Sequence, residues 1–330
     1  MILNPRTKNL LSFILRFALS AILLAYLFQK IDWIKTKEVL QNAHLSYIFY
    51  AVLIFFFINA VVLYRWYLYI EGLSLTVNLL NVVRYFFIGL FGNLFLPSAI
   101  GGDVIKIFGL CKNSTEKPKV VASVLLDRLS GFTGIVLLAI VAFFYAYPIL
   151  KDGTLLGLIL VLALICGCMG SILFYEPLYI FACRIFNRLP KVKKSLMTMH
   201  YDIILLKDRK DVLYKTVLLS SLAQCLLAVT FYLLARALDQ GIAFIYFLTF
   251  IPLICVASSF PSIGGLGVRE AGAAYLFAKV GMPAGIAVSI SLMNFLFMVL
   301  VGLIGGIFFM VTLNPAQLRE VELNTNLKDS

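Results

Sequence analysis

The chain has 330 residues, of which 62% are hydrophobic and only 13% are charged, and its net charge is +12. Soluble domains carry roughly 25% charged residues, so this composition excludes a soluble globular protein and predicts a polytopic integral membrane protein. The expected fold class is all-α, because an open sheet edge leaves backbone groups unsatisfied in lipid. Lysine and arginine gather in the cytoplasmic loops of membrane proteins, which explains the positive charge without a nucleic-acid partner.

Apolar runs of about 20 residues, long enough to cross a hydrocarbon core of about 30 Å, define the predicted spans. The first two cover about 10–28 and 45–64. Arg65 and Trp66 close the second span, and we predict that they anchor its end at the membrane interface, where cations and aromatic rings are favoured. The linker 30–43 is mixed in charge and is expected to lie along the membrane surface.

A first break follows a shorter apolar segment. Residues 82–96 are apolar but include Arg84 and Asn93, and they lead into Pro97-Ser-Ala-Ile-Gly-Gly102. Proline removes a backbone donor and glycine tolerates almost any backbone angle, so this run should interrupt a helix. The apolar segment after it, about 103–110, is too short to cross a bilayer at 1.5 Å per residue. The pattern therefore predicts a re-entrant helical hairpin.

The middle of the chain contains two further spans and its one sizeable polar stretch. The spans cover about 120–147 and 154–175, and residues 176–211 form a predicted cytoplasmic basic loop. Asp127 and Arg128 lie about two turns into the first of these spans. Buried charges in lipid are expensive unless they face protein or water. A structural pairing with another helix and a role at a substrate site both remain open for this pair.

A second break resembles the first. After predicted spans at about 212–236 and 242–260, the run Pro261-Ser-Ile-Gly-Gly-Leu-Gly267 precedes a short helix of about 269–280. That helix begins with Arg269 and Glu270. A last span of about 284–312 and a polar tail, residues 313–330, complete the chain.

The two breaks divide the chain into similar halves. Pro97 and Pro261 lie 164 residues apart (261 − 97), about half the chain length. With the N-terminus inside and each hairpin returning to its own side, the basic stretches 65–84, 112–119 and 176–211 all become cytoplasmic, as the positive-inside rule requires. The first hairpin then opens from the inside and the second from the outside. We therefore predict one integral membrane domain, residues 1–330, with about seven full spans and two re-entrant hairpins in an inverted repeat, its halves covering about 10–175 and 212–312.

Breaks at matching places in two halves of a membrane protein point to a substrate site between them. Short helices that start after glycines present backbone N–H groups and the positive end of their dipoles, which suit an anion such as a lipid phosphate. The acids either balance the neighbouring cations or carry protons, and the alternative interpretation is that all these charges only lock helices together. The predicted head-group-binding set is Arg84, Asn93, Gly101, Gly102, Asp103, Lys106, Asp127, Arg128, Gly264, Gly265, Gly267, Arg269 and Glu270. His44 and His200 stand alone and no zinc-like cysteine spacing occurs, so we predict no metal, no cofactor and no catalytic residue.

Several of these motifs resemble a known family. They are Arg65-Trp66, Asn93-x-x-x-Pro97 leading into Gly101-Gly102-Asp103, Asp127-Arg128, and Pro261-x-x-Gly264-Gly265-Leu266-Gly267-x-Arg269-Glu270. Over about 10–312 the chain resembles the lysylphosphatidylglycerol synthase transmembrane region, the flippase-like UPF0104 family. The resemblance implies movement of lipids between leaflets, and in fused members the region precedes a cytosolic aminoacyltransferase domain. The chain ends eighteen residues after about 312, so a stand-alone member without that domain is expected. Lys106 stands where the resemblance leads us to expect arginine, which keeps the charge but loses the planar fork.

Three hypotheses for function follow. The leading one is a flippase or transporter in the plasma membrane, with both termini cytoplasmic, that moves an anionic phospholipid or a lipid-linked molecule. The second is a membrane transferase acting on a polyprenyl-phosphate lipid, with Asp103 or Glu270 as base. The third is a non-transporting scaffold for a separate lipid-modifying enzyme. The small residues Gly302, Gly305 and Gly306 also suggest a homodimer through the last helix.

Overall fold

A computed structural model of the chain describes residues 41–95, 101–112, 114–150, 153–175, 177, 209–258 and 265–312. Within them it shows nine α-helices and no strand. The helices are α1 Leu45–Gly72, α2 Leu79–Phe95, α3 Gly101–Cys111, α4 Lys117–Leu150, α5 Gly153–Phe174, α6 Lys210–Ala237, α7 Phe244–Ala257, α8 Val268–Ala278 and α9 Ala284–Thr312. The predicted first span, Pro97, Pro261, Gly264, nearly all of the basic loop and the polar tail lie outside the described residues.

Four of the described helices are long and apolar enough to cross a membrane, judged by length and composition. They are α1, α4 as far as Tyr145, α6, and α9 as far as Val311. The apolar segments Leu79–Leu94 of α2, Gly153–Cys168 of α5 and Phe244–Ala257, which is α7, are shorter. Large apolar side chains point outward from this bundle, such as Phe144 and Leu164, which are 77% and 68% exposed. Apolar surface on this scale suits lipid rather than water. The prediction of an α-helical membrane protein is confirmed.

Two short helices follow Pro97 and Pro261 in the chain. The first begins at Gly101, earlier than predicted, so Gly101 and Gly102 are part of it. Helices α3 and α8 each have 11 residues, which corresponds to about 16 Å and cannot cross a bilayer. Each packs against the apolar helix before it, α3 on α2 and α8 on α7. In both, the third residue is an acid, Asp103 in α3 and Glu270 in α8. The order of an apolar helix, a predicted break and a short helix with an acid at its third position thus occurs twice.

Glycines allow α2 and α3 to approach very closely. A Cβ atom added at Gly102 would lie 2.2 Å from the carbonyl oxygen of Gly89 and 2.6 Å from Oδ1 of Asn93. Real Cβ atoms do not come so near to a backbone oxygen, so Gly102 is required by packing. The same contact positions Oδ1 of Asn93 to accept the N–H of Gly102 at 2.8 Å. The first turn of α3 is therefore capped by a side chain from α2.

The glycine-rich last helix packs inside the chain. A Cβ at Gly305 would lie 1.9 Å from the carbonyl oxygen of Phe87, and Cβ atoms at Gly302 and Gly306 would meet Leu94 and Phe91 on α2. The face that the sequence suggests for a homodimer is therefore occupied by α2. Homodimerisation stays a prediction, but these three glycines serve contacts within one chain.

Two hydrophobic clusters hold the helices together. The larger one joins α1 and α4 to α9, and it contains Phe231, Phe247 and Phe277. The smaller one surrounds Trp66 and Phe86 and draws on α1 to α4 and on Val212 of α6. Both clusters include aromatic rings, each of which buries a large apolar area. Phe231 also lines the cavity described next.

Candidate functional site

A cavity of about 320 Å³ lies among helices α1, α2, α4, α6, α7, α8 and α9, and α2 and α7 are the helices that precede the two predicted breaks. Most of its wall is apolar, and its polar lining comes largely from asparagine and serine side chains. The only charged residues among the described lining are Arg128 of α4 and Arg269 of α8. The complete described lining is Phe55, Asn59, Leu90, Asn93, Leu94, Arg128, Leu227, Phe231, Ile251, Ile254, Cys255, Ser258, Gly265, Arg269, Asn294, Met298 and Val301. The cavity therefore joins residues from both halves of the chain.

The turn into α8 depends on two glycines with left-handed backbone. Gly265 has φ 80° and Gly267 has φ 86°, a region that costs glycine little and other residues much more. The N–H of Gly267 donates to Oε2 of Glu270 at 2.7 Å, so the carboxylate caps the start of the helix. This turn places Arg269 one residue inside α8, at the wall of the cavity.

The guanidinium of Arg269 is buried and held on several sides. Its Nη2 donates to Oε1 of Glu270 at 2.7 Å and its Nε to Oγ of Ser291 at 3.0 Å. The Phe295 ring lies 5.4 Å from the guanidinium carbon. Nη1 lies 3.3 Å from Sδ of Met298, which is a weak acceptor. Nη1 therefore keeps strong donor capacity for an anion in the cavity.

The corresponding charge cluster in the first half involves two helices. Asp103 of α3 accepts a hydrogen bond from Nε of Arg128 on α4, and its other oxygen lies 3.6 Å from Nζ of Lys106. The Lys106 ammonium is 5.0 Å from the Trp66 ring centroid and 4.8 Å from that of Phe86. Such rings stabilise a buried cation. Asp103 thus fixes the Arg128 side chain at the cavity wall while Lys106 stays in the packed interior.

Asp127 forms its ion pair away from the cavity. Its Oδ1 accepts Nε of Arg65 at 2.7 Å, and Nη1 of Arg65 donates to Ser220 at 3.0 Å. Asp127 therefore does not pair with its neighbour Arg128, in agreement with the 100° between adjacent helix positions. The sequence left open whether this pair forms a structural contact with another helix or belongs to a substrate site. Asp127 forms the structural contact, whereas Arg128 reaches the cavity.

Arg65 and Trp66 differ from the expectation of interface anchors. Arg65 is 7% exposed and Trp66 is 0% exposed. The indole N–H of Trp66 donates to Oγ of Ser123 at 3.3 Å. An anchor holds its side chain at the level of the lipid head groups, whereas these side chains lie between α1, α4 and α6. The charge of Arg65 therefore pairs with Asp127, and the ring of Trp66 packs inside the helix bundle.

The structure sorts the predicted site residues into three groups. Four line the cavity: Asn93, Arg128, Gly265 and Arg269. Seven are buried but are not part of its described lining: Gly101, Gly102, Asp103, Lys106, Asp127, Gly267 and Glu270. Gly264 lies outside the described residues. Arg84 is on α2, nine residues before Asn93 and so about 13 Å along the helix, and it is not part of the lining.

Sequence reasoning missed three polar lining residues, namely Asn59, Ser258 and Asn294. A signal for the asparagines existed, because a carboxamide inside an apolar span is expensive unless something binds it. Sequence reasoning selected the charged residues and did not consider these asparagines. The ion pairs described above contain four cations (Arg65, Lys106, Arg128, Arg269) and three carboxylates (Asp103, Asp127, Glu270), a surplus of one positive charge (4 − 3).

These features define the class: a helical membrane protein with a largely apolar internal cavity that presents two arginines. Comparison with known proteins then gives the family. Residues 13–306 match the family described as lysylphosphatidylglycerol synthase TM region, and the chain belongs to this family. It is also similar to the UPF0104 membrane protein PH1989 of Pyrococcus horikoshii, with 25% identity over 285 residues that cover 79% of this chain and 85% of that protein.

Proposed function

We propose that this protein moves an anionic phospholipid, or a lipid-linked phosphate, between the two leaflets of the plasma membrane. The family and the apolar helices indicate a lipid-related membrane role. The observation that carries the proposal is the shared cavity, in which Arg128 and Arg269 come from opposite halves of the chain. The head group lies between them during transfer, and the acyl chains remain in lipid.

Two guanidinium groups suit a phosphate better than they suit a neutral head group. Each presents several N–H donors in a planar fork that matches phosphate oxygens. Transferring a phosphate alone through hydrocarbon costs many kcal/mol because the charge loses its hydration. Fixed cations in an apolar pocket replace that hydration without reorganising. The ion pairs with Asp103 and Glu270 keep the arginines in place when no lipid is bound.

The proposal includes a topology. The helix pairs α2–α3 and α7–α8 form re-entrant hairpins that enter from opposite sides as an inverted repeat, with both termini cytoplasmic. Matching lengths support this, since the paired helices have 17 and 11 residues in one half and 14 and 11 in the other. In such transporters the halves rock around a fixed site, which opens alternately to each leaflet.

The transferase hypothesis needs a carboxylate that can accept a proton from substrate. Asp103 and Glu270 are each bound to cations, and neither is part of the described cavity lining. This arrangement favours binding and movement over chemistry, so our proposal contains no enzymatic step. A separate lipid-modifying enzyme remains a proposed partner that supplies or consumes the lipid.

Lipid exchange in vesicles tests the proposal. Purified protein is reconstituted with fluorescent phosphatidylglycerol, and the label reached by an external quencher is followed over time. Arg128→Gln is the sharpest variant, because Lys106 continues to balance Asp103. We expect at least a tenfold slower exchange, about 1.4 kcal/mol, and a similar loss for Arg269→Gln.

Arg84→Gln is the matched control, since it removes an arginine of the first half that is not part of the cavity lining. It should leave exchange within about twofold of the wild type. Unchanged exchange in a folded Arg128→Gln protein, or an equal loss in the control, contradicts the proposal. Exchange by the purified chain alone also rules against the scaffold hypothesis.

A further inference from the structure

One carboxamide in the cavity is buried and unsatisfied. Asn294 of α9 is 4% exposed and lines the cavity. Its Oδ1 has no hydrogen-bond partner in the part of the chain that the structure describes. Leaving a buried acceptor unpaired costs free energy, and native proteins rarely do so without a reason. Oδ1 itself is buried, so the side chain has to turn toward the cavity for a ligand hydroxyl to donate to it and remove this cost.

Other neutral polar groups of the lining have capacity to spare. Asn59 donates Nδ2 to the carbonyl oxygen of Phe55 at 2.8 Å, a bond that does not use its Oδ1. Asn93 accepts the N–H of Gly102 through Oδ1, a bond that does not use its Nδ2. A hydroxyl group is both donor and acceptor, so it can satisfy carboxamides of either orientation. The cavity therefore offers hydroxyl recognition next to its two arginines.

The charges of the cavity wall disfavour a ligand that carries an ammonium group. Arg128 and Arg269 are its only charged residues among the described lining, and both are cations. Glu270 already accepts hydrogen bonds from Gly267, Arg269 and Ser291. The two breaks, residues 96–100 and 259–264, contain no acidic residue in their sequence. An ammonium would thus enter a low-dielectric site beside like charges and, among the described lining residues, without a carboxylate of its own.

We infer that the head group of the transported lipid is a phosphate diester bearing uncharged hydroxyl groups and no ammonium, with Asn294 as a specificity-determining residue. The inference rests on the proposed function and narrows its substrate class. It separates this chain from an aminoacylated cargo such as the lysylphosphatidylglycerol in the family description, whose lysyl group adds two positive charges. The phosphate contacts the arginines and the hydroxyls contact the asparagines.

The test compares three lipids that share one acyl composition. Phosphatidylglycerol has a phosphate diester and two hydroxyls, phosphatidylmethanol has the diester alone, and lysylphosphatidylglycerol adds the ammonium groups. Binding to the full chain in detergent is measured by native mass spectrometry, and exchange is measured in vesicles. We expect phosphatidylglycerol to bind about tenfold more tightly than either of the others, a difference of about 1.4 kcal/mol.

Asn294→Leu identifies the residue responsible. It should reduce the preference for phosphatidylglycerol over phosphatidylmethanol at least threefold, because one hydroxyl loses its partner, while binding of phosphatidylmethanol stays within about twofold. Gln224→Leu is the matched control. Oε1 of Gln224 is likewise buried without a partner among the described residues, but Gln224 does not line the cavity. That variant should keep the full preference.

The outcomes separate the two claims. If lysylphosphatidylglycerol binds as tightly as phosphatidylglycerol, or if Gln224→Leu and Asn294→Leu have equal effects, the inference is overturned even when exchange is seen. If the binding preference holds but no lipid exchanges faster than in protein-free vesicles, the inference stands as binding specificity and the transport proposal fails. Should Asn294→Leu not fold, the comparison of the three lipids on wild-type protein still decides the substrate class.

Discussion

Arg269 and Glu270 are adjacent in sequence and still form a direct ion pair, with Nη2 of the arginine 2.7 Å from Oε1 of the glutamate. The other carboxylate oxygen caps α8 through the N–H of Gly267. One fully buried acid therefore starts the helix and neutralises the arginine of the cavity. In the first half these tasks are divided, since Asn93 caps α3 and Asp103 binds Arg128. The two halves reach a similar result with different residues.

Loss of the Glu270 charge should destabilise the protein strongly. In Glu270→Gln the Arg269 guanidinium stays buried at 5% exposure but loses its counter-charge. Removing one partner of a buried ion pair typically costs about 3–5 kcal/mol. We expect a clear drop in the thermal unfolding midpoint of detergent-solubilised protein, measured by intrinsic fluorescence.

The matched control is Glu116→Gln. Glu116 pairs with Lys119 near the start of α4, and its side chain is 40% exposed. Exposed pairs contribute only about 0–1 kcal/mol, so this variant should unfold close to the wild-type temperature. Equal midpoints for the two variants would show that Glu270 is not essential to the charge balance of the site.

Gly102 should not tolerate a methyl group. In Gly102→Ala the new Cβ would lie 2.2 Å from the carbonyl oxygen of Gly89, so α2 and α3 must separate. Overpacking of this kind typically costs 1–3 kcal/mol. Gly157→Ala on α5 has no neighbour within 4 Å and should be neutral or slightly stabilising, because alanine is the better helix former. Thermal unfolding of both variants checks this, and a stable Gly102→Ala protein would contradict the close packing of the hairpin.

The positions of the two short helices could be predicted from sequence because their causes are local. A proline followed by paired glycines favours a break in the helix through local backbone effects. Neither feature is enough by itself, since α7 contains Pro252 and α9 continues through Gly305 and Gly306. The pairing of Asp127 with Arg65, 62 residues away, is not a local property. It depends on which face of α4 meets α1, and that face is set by the packing of the whole bundle. For the same reason the sequence could name Arg84 and Arg128 as candidates but could not tell which one reaches the cavity.

Asn294 shows a second limit of prediction from sequence. Asn294 is of interest because its Oδ1 has no hydrogen-bond partner among the described residues. A sequence does not show which polar groups are unpaired, and only coordinates do. Trp66 shows a third limit. Tryptophan after an apolar run usually marks the membrane interface, but here Ser123 supplies a hydrogen-bond partner inside the bundle.

Gly305 tests whether the last helix is needed within one chain. In Gly305→Leu the side chain would collide with the backbone of Phe87, since even a Cβ would lie 1.9 Å from its carbonyl oxygen. We expect a large loss of thermal stability with no specific change from dimer to monomer. Size-exclusion chromatography with light scattering, run beside thermal unfolding, separates these effects. A stable protein that only changes oligomeric state would instead favour the homodimer through this face.

The burial of Trp66 can be measured directly by fluorescence. The chain has two tryptophans, so Trp33→Phe leaves Trp66 as the sole emitter. Because Trp66 is 0% exposed and its indole N–H is bound to Ser123, iodide in water and lipids brominated along the acyl chain should both quench it weakly. An interface anchor contacts lipid and the head-group region, so it would respond strongly to at least one quencher. Strong quenching in the folded Trp33→Phe protein would show that Trp66 lies at the membrane surface. It would also contradict the contact between the Trp66 ring and Lys106.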